Sequence, residues 1–356
     1  MSLLGYASKE YKDEKGRDYF FDNAKFILIT LVVIAHAISP LKADIPEINT
    51  FWKMANTLHM PCMIFITGYF GKSYIKNGTV KTQRFVTYMV YYLAAQIAVT
   101  LFEYFVLKDY KIGKSFFFPR SSLWYLMCML WWFGLMPYYY KIKPKLLLTF
   151  AFLAAFACGY DNKAGDFLSV LRVVNHFPVF LAGYYFKKEW LFKFRNKITQ
   201  ACAAVIMAGM AVWTYFNLDR IPNKIITSNF SYADSDLVSM TSTPTAFLHR
   251  VCFYLAAFVL CACFLLLVPR GKAVFTKMGS RTLQVYILHR FLYLAETAFL
   301  WYEPFEGSLK GALEMAAIGF AVTIILAQKP FEYPFMLLGK ITLKPFEINS
   351  EEKVKV

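Results

Sequence analysis

The sequence predicts an all-α polytopic membrane bundle of about ten transmembrane helices, with both termini in the cytoplasm. Three observations carry that expectation. First, 58% of the 356 residues are apolar and only 17% are charged, against roughly 45–50% and about 25% in typical soluble domains. Mean hydropathy is +0.42, so one soluble core of this length cannot hide the apolar surface, and lipid must be part of the solvent. Second, apolar windows approaching the roughly 20 residues that a spanning helix needs recur along the chain. Third, the loops between them alternate between rich and poor in Lys and Arg, the pattern left by basic loops that stay in the cytoplasm.

The elements follow in order. Residues 1–23 are polar and mixed in charge, with no apolar core ahead of a small-residue cleavage site, so they read as a cytoplasmic tail before a retained helix rather than as a signal. Ten apolar segments are then predicted near 24–41, 53–71, 85–107, 122–139, 146–160, 168–187, 199–216, 247–268, 282–301 and 311–328. The fifth is the shortest. Basic clusters mark the cytoplasmic side: Lys9 to Arg17, Lys72 to Arg84, Lys141 to Lys145, Lys187 to Lys197 and Arg270 to Arg281. The opposite loops are mixed, with Asp44 and Glu47, Asp161 and Asp166, and Glu303 and Glu306. One loop, with Lys108, Lys111, Lys114 and Arg120, runs against the rule. The longest polar interval, 217–246, falls outside the cell in this topology and reads equally well as a surface loop or a substrate-facing lid. Residues 330–356 form a cytoplasmic tail. No soluble domain is left over, so 1–356 is one integral-membrane domain.

The formal charge of +16 taken alone points to nucleic acid. Cytoplasmic loops account for it, so no nucleic-acid partner is expected. The seven cysteines all fall in or at apolar segments, without a CxxC pair or zinc-like Cys/His spacing. They read as small buried residues, and no metal is expected.

Chemistry is sought among ionisable groups inside the spans, because each costs a few kcal/mol or more in the bilayer. In "DNAKFILITLVVIAHAISP", His36 follows Lys25 by eleven residues. That spacing returns to the same helix face within roughly 20° and sets the two about 16 Å apart. Asp22, three residues before Lys25, can pair with it. The stripe places a cation at the cytoplasmic mouth and a proton acceptor inside; the competing account is a histidine that merely bonds a neighbouring helix. Glu103, Arg250 and Glu296, near outer helix ends, read as snorkelling or paired.

The same stretch, "FFDNAKFILITLVVIAHAISP", resembles the first helix of the acyltransferase 3 family of membrane O-acyltransferases, with its Arg or Lys, ten residues, then His. "LHMPCMIFITGYFGKSY" and "FPVFLAGYYFKK" resemble its Phe-x-x-Gly-Tyr helices, "LWYLMCMLWW" its Trp-Phe-Leu segment, and "GSRTLQVYILHRF" its late Gly-x-x-Ser-Leu-x-x-Tyr-x-x-His segment. "DNAK" is similar to the fucose 4-O-acetylase-like branch. Thr282 stands where Ser is usual and Arg290 where Pro is common. The resemblance implies transfer of an acyl group, usually acetyl, from cytoplasmic acetyl-CoA to a hydroxyl of a cell-envelope or exported glycan, in a bacterial cytoplasmic membrane. His36 is then the candidate catalytic base or acyl relay. Lys25, Arg84 and Arg281 are candidate contacts to the phosphates of acyl-CoA, with positive-inside topology the competing account for the two arginines. Tyr286 and His289, on one helix face at i, i+3, and His59 are candidate substrate contacts; His176 is a weaker one. The alternative function is a transporter or flippase for a lipid or glycan intermediate, but repeated halves and paired broken helices are not evident. A membrane glycosyltransferase would call for acidic residues in an early outer loop, where only Asp44 and Glu47 stand.

Overall fold

The structure is a computed structural model that describes residues 11, 16–76, 79–80, 82–109, 116–161, 166–229, 231–233 and 245–341. Its first helix, α1 (Tyr19–Ala37), starts where the Asp18 carboxylate caps the Phe20 amide at 3.1 Å. The helices that follow are α2 (Pro46–Gly71), α3 (Thr82–Phe105), α4 (Trp124–Gly134), α5 (Met136–Tyr139), α6 (Pro144–Ala157), α7 (Val170–Tyr185), α8 (Lys188–Phe194), α9 (Lys197–Phe216), α10 (Asn223–Thr227), α11 (Phe247–Leu267), α12 (Thr282–Ala298), α13 (Leu309–Leu326) and α14 (Tyr333–Leu338). A two-residue hairpin, Ile75–Lys76 against Thr79–Val80, links α2 to α3.

Among the described residues, six helical segments are long and apolar enough to cross a membrane: Tyr19–Ala37, Phe85–Phe105, Phe167–Tyr185, Lys197–Phe216, Phe247–Leu267 and Leu309–Leu326. The count stops short of the ten apolar segments for local reasons. The segment at 122–139 breaks after Gly134, where Pro137 opens the short α5, so α4 has only 11 residues. The α6 run, Pro144–Tyr160 with its last 3₁₀ turn, is also short. Helix α2 is long, at 26 residues, but Asn56, Thr57, His59 and Pro61 dilute its apolar half, and α12 has only 17 residues.

Burial orders the bundle. In α1, 72% of the span is buried, against 11% in α9, so α1 is the axis and α9 the rim. Helices α2, α12 and α13 pack around α1, and α2 packs most extensively against α7. The outward faces of α6 and α9 carry Phe150, Leu153, Val205, Trp213 and Phe216, all exposed, which is the surface a lipid solvent covers.

The α2–α7 contact explains the two Phe-x-x-Gly-Tyr stretches. Any Cβ on Gly68 would run into the Phe180 carbonyl, and any on Gly183 into the Phe65 carbonyl. Each motif thus seats its glycine on the phenylalanine backbone of the other, the close approach that small residues allow between membrane helices. Lys72, just past α2, donates to the carbonyl of Phe186, just past α7. The two helices therefore run parallel and end at one level.

Charged loops gather at the two ends of the bundle. At one end Lys188 pairs with Asp18 at 2.7 Å, and Arg281 with Glu332 at 2.8 Å. At the other, Lys53 binds Asn223 at 2.7 Å and Tyr215 binds Glu47 at 3.3 Å. The interval read as a lid is pinned in its described part: Asn175 donates to Ser228 at 3.0 Å and Tyr232 to Phe156 at 3.0 Å. Its residues 230 and 234–244, Lys111 and Lys114, and 342–356 of the C-terminal tail lie outside the described residues.

Candidate active site

The "DNAK" stretch builds the first wall of the site. Asp22 is buried at the first turn of α1 and draws two cations, Lys25 at 2.8 Å and Arg17 in a two-pronged contact, the fork geometry that guanidinium and carboxylate favour. Asn23, fully buried, holds the loop before α12: its amide donates to the carbonyls of Pro269 at 2.9 Å and Gly271 at 2.8 Å, and its oxygen accepts from Thr276 at 2.6 Å. Ala24 is fully buried as well. A Cβ on Gly279 would collide with the Asp22 backbone, so the start of α12 is pressed onto the start of α1.

These contacts surround a cavity of about 690 Å³, within the range of small-molecule sites. Arg17, Lys25 and Lys188 line its mouth with Asp18 and Asp22, and Ser280 and Thr282 form its edge. Tyr125 and Tyr286 lie deeper, with Thr67 hydrogen-bonded to the Tyr125 hydroxyl. The Tyr286 hydroxyl is buried without a partner among the described residues.

A ladder of rings leads inward. Tyr125 and Tyr286 are 5.5 Å apart between ring centroids, Tyr286 and His289 6.2 Å, His289 and His36 5.3 Å, and His36 and Tyr293 5.0 Å. The last three rings line a second cavity of about 240 Å³ with Glu296 and Gly319. Its lining is otherwise apolar, and exposed Leu292, Trp301 and Ile318 form its rim. Its volume is below the range of small-molecule sites.

The two histidines are differently poised. His289 Nδ1 is 3.0 Å from the Val285 carbonyl. A carbonyl only accepts, so in the neutral ring Nδ1 carries the proton and Nε2 is the free base. Nε2 is buried with no partner among the described residues. His36 is half-buried and lines the cavity. His59, buried on α2 with Nδ1 unpaired, is near enough to bear electrostatically on both. Among the described residues no three His, Cys, Asp or Glu side chains converge to hold a metal ion.

The structure thus brings Lys25, Tyr286, His289 and His36 along one path, and His59 is buried beside it without lining either cavity. Arg281 lies at the rim and donates to Glu332 instead of facing the first cavity. The Arg84 side chain lies outside the described residues. His176 stacks on Trp124 at 5.4 Å and lines neither cavity. Sequence reasoning missed Arg17 and Lys188 as cavity cations; the Asp18 cap that binds Lys188 was the only local signal. It also missed Glu296, whose Oε1 is buried and unpartnered in the His36 cavity.

No curated protein and no solved structure gives a significant match to this sequence. A family model does: the acyltransferase 3 family, described as an acyltransferase domain, matches residues 18–328. That range runs from the cap of α1 to just past the end of α13 and takes in the ring ladder, the second cavity and the lining of the first except Gly16 and Arg17. The chain therefore belongs to the acyltransferase 3 family of membrane acyltransferases.

Proposed function

We propose that the chain is an O-acyltransferase that moves an acyl group, acetyl by resemblance, from cytoplasmic acetyl-CoA to a hydroxyl of a cell-envelope or exported glycan, in a bacterial plasma membrane. The observation that supports this reading is the His36–His289 pair on the wall of an apolar cavity, joined through the Tyr286 ring to a cation-rimmed one. Phosphates of the donor sit against Lys25 with Arg17 and Lys188, and Arg281 and Arg84 add positive charge toward the same end. The thioester end passes Tyr125 and Tyr286, and the acceptor hydroxyl enters from the second cavity, near His59.

The chemistry then follows from a weak nucleophile meeting an activated carbonyl. As the hydroxyl oxygen bonds to the thioester carbon, the His36 imidazole takes the hydroxyl proton. The carbon–sulfur bond breaks, and the leaving thiolate receives that proton, so the ring ends neutral. An acyl-histidine relay uses the same pair with the ring nitrogen attacking first.

The test feeds acetyl-CoA labelled in the acetyl group to membranes carrying the native protein or His36→Ala. Base-labile label in the glycan fraction, with stoichiometric free CoA, is expected from the native protein and is lost in the variant. Absence of label, CoA release and CoA binding with the native protein overturns the reading and leaves the transporter.

A further inference from the structure

A second charged cluster lies beside the His36 cavity, and the acyl-transfer reading gives it no role. Arg290 follows His289 on α12 and is 6% exposed. Its guanidinium lies over the Tyr293 ring at 4.8 Å, and that ring is the one next to His36. Its Nε and Nη1 are buried without a hydrogen-bond partner among the described residues.

Arg120 is the second cation. Its backbone is fixed by Gln96, whose side-chain oxygen accepts from the Arg120 amide at 3.0 Å and whose side-chain nitrogen donates to the Phe118 carbonyl at 3.0 Å. Its Nη1 lies 3.1 Å from Glu103 Oε2, an ion pair without hydrogen-bond geometry, while Nε and Nη2 are buried with no hydrogen-bond partner among the described residues. Glu103 is the carboxylate that both guanidiniums bear on. Asp109, the other acid near Glu103, is exposed to solvent. One buried carboxylate therefore answers two guanidinium groups, and four of their N–H-bearing nitrogens have no hydrogen-bond partner among the described residues. The Ser122 hydroxyl, two residues beyond Arg120, is also buried and unpartnered.

A buried cation left uncompensated in low dielectric is expensive. Unpartnered guanidinium N–H groups are also the donors best matched to planar or tetrahedral oxyanions. We propose that Arg290 and Arg120 form a subsite for an oxyanion carried by the acceptor, a carboxylate or a phosphate, and that it holds the acceptor's hydroxyl toward His36. The inference rests on the acyl-transfer reading for its meaning, since the subsite selects acidic acceptors over neutral ones. Tyr293 ties the two halves together, with its ring shared between the guanidinium and the imidazole. The subsite is separate from the Lys25 mouth, which lies at the other end of the ring ladder.

The experiment is competition against the labelling of glycan in native membranes, with three probes: methyl glucoside, methyl glucuronide and methyl glucoside 6-phosphate. In the native protein at least one charged probe inhibits at about tenfold lower concentration than the neutral one, the ratio given by one charge-assisted hydrogen bond. Which of the two does so distinguishes a carboxylate from a phosphate. In Arg290→Gln that advantage disappears, and Arg290→Lys keeps part of it; Arg120→Gln weakens it independently. A neutral probe that competes as well as both charged ones, or a charge advantage that survives in both glutamine variants, overturns the subsite. The thermal midpoint of the purified full chain with each probe gives a second readout that needs no turnover. If no label forms, the acyl-transfer reading fails, while selective stabilisation by a charged probe, lost in Arg290→Gln, still supports the anion subsite and its absence still overturns it.

Discussion

His36 on α1 and His289 on α12 face each other with ring centroids 5.3 Å apart, and the Val285 carbonyl fixes only the second ring, at 3.0 Å from Nδ1. One imidazole is thus held as a defined tautomer while the other turns toward a cavity. If the pair works as a unit, removing either loses most of its contribution. His36→Ala is expected to lower kcat by about 10²–10⁴-fold, the worth of a positioned base, and the double variant with His289→Ala to fall little further. Thiol release from acetyl-CoA measures both. Full additivity of the two losses refutes a joint role.

The mouth of the first cavity makes a different prediction. Lys25→Gln removes a cation while Arg17 still neutralises Asp22, so the fold should survive. KM for acetyl-CoA is expected to rise about tenfold, the equivalent of 1.4 kcal/mol, with a smaller change in kcat. The native protein should lose donor affinity as salt rises, because exposed charge contacts are screened, and the variant should lose less. Equal salt slopes in the two proteins argue that Lys25 never meets the phosphates.

The part of this site that is legible in the sequence is the part written along one helix. Asp22, Lys25 and His36 are related by helical phase, and phase survives folding. Tyr286 and His289 are related in the same way. Arg17 and Lys188 are not, because they meet across 171 positions of chain through Asp18 and Asp22, and no local period encodes such a meeting. Arg290 and Glu296 share α12 with His289, yet sequence alone does not say whether a charge on a short helix is paired. Hydropathy also misplaced ends. Helix α2 begins at Pro46 rather than near 53 because Glu47, Asn49 and Thr50 dilute the apolar signal, and α1 begins at Tyr19 because an Asp cap reads as tail. Segment 122–139 reads as one span by hydropathy, although Gly134 and Pro137 lie within it and end α4.

The reciprocal glycine contact predicts that the α2–α7 pair is intolerant of one methyl group. Gly68→Ala or Gly183→Ala forces a Cβ into a backbone carbonyl that cannot swing aside. A destabilisation of about 1–3 kcal/mol is expected, as for overpacked cores. Gly209→Ala on rim helix α9 is the control: a Cβ there meets nothing within 4 Å, and removing a helix-interior glycine should stabilise by up to about 1 kcal/mol. Thermal midpoints of the purified proteins compare the three. A neutral Gly183→Ala means that the helices separate freely and the contact is incidental.

Glu296 supplies the sharpest contrast between sequence and structure. Its sequence position, near an outer helix end, suggests a snorkelling or paired carboxylate, and the other two charges read that way do find partners: Glu103 binds Arg120 at 3.1 Å and Arg250 donates to the Ala155 carbonyl at 2.9 Å. Glu296 is buried instead, with Oε1 unsatisfied and its side chain on the wall shared with His36 and His289. On the proposed reading an acceptor glycan would bring hydroxyls beside the one that reacts, and a carboxyl group here is placed to accept a hydrogen bond from one of them. Glu296→Gln keeps the volume and one oxygen but removes the carboxyl group. A hydrogen bond contributes about 0.5–1.5 kcal/mol net, so the variant is expected to lose roughly twofold to tenfold in kcat/KM for the acceptor. KM for acetyl-CoA and the thermal midpoint should stay near native values. A loss of donor affinity instead, or no kinetic change at all, assigns Glu296 to packing and removes it from the acceptor side of the site.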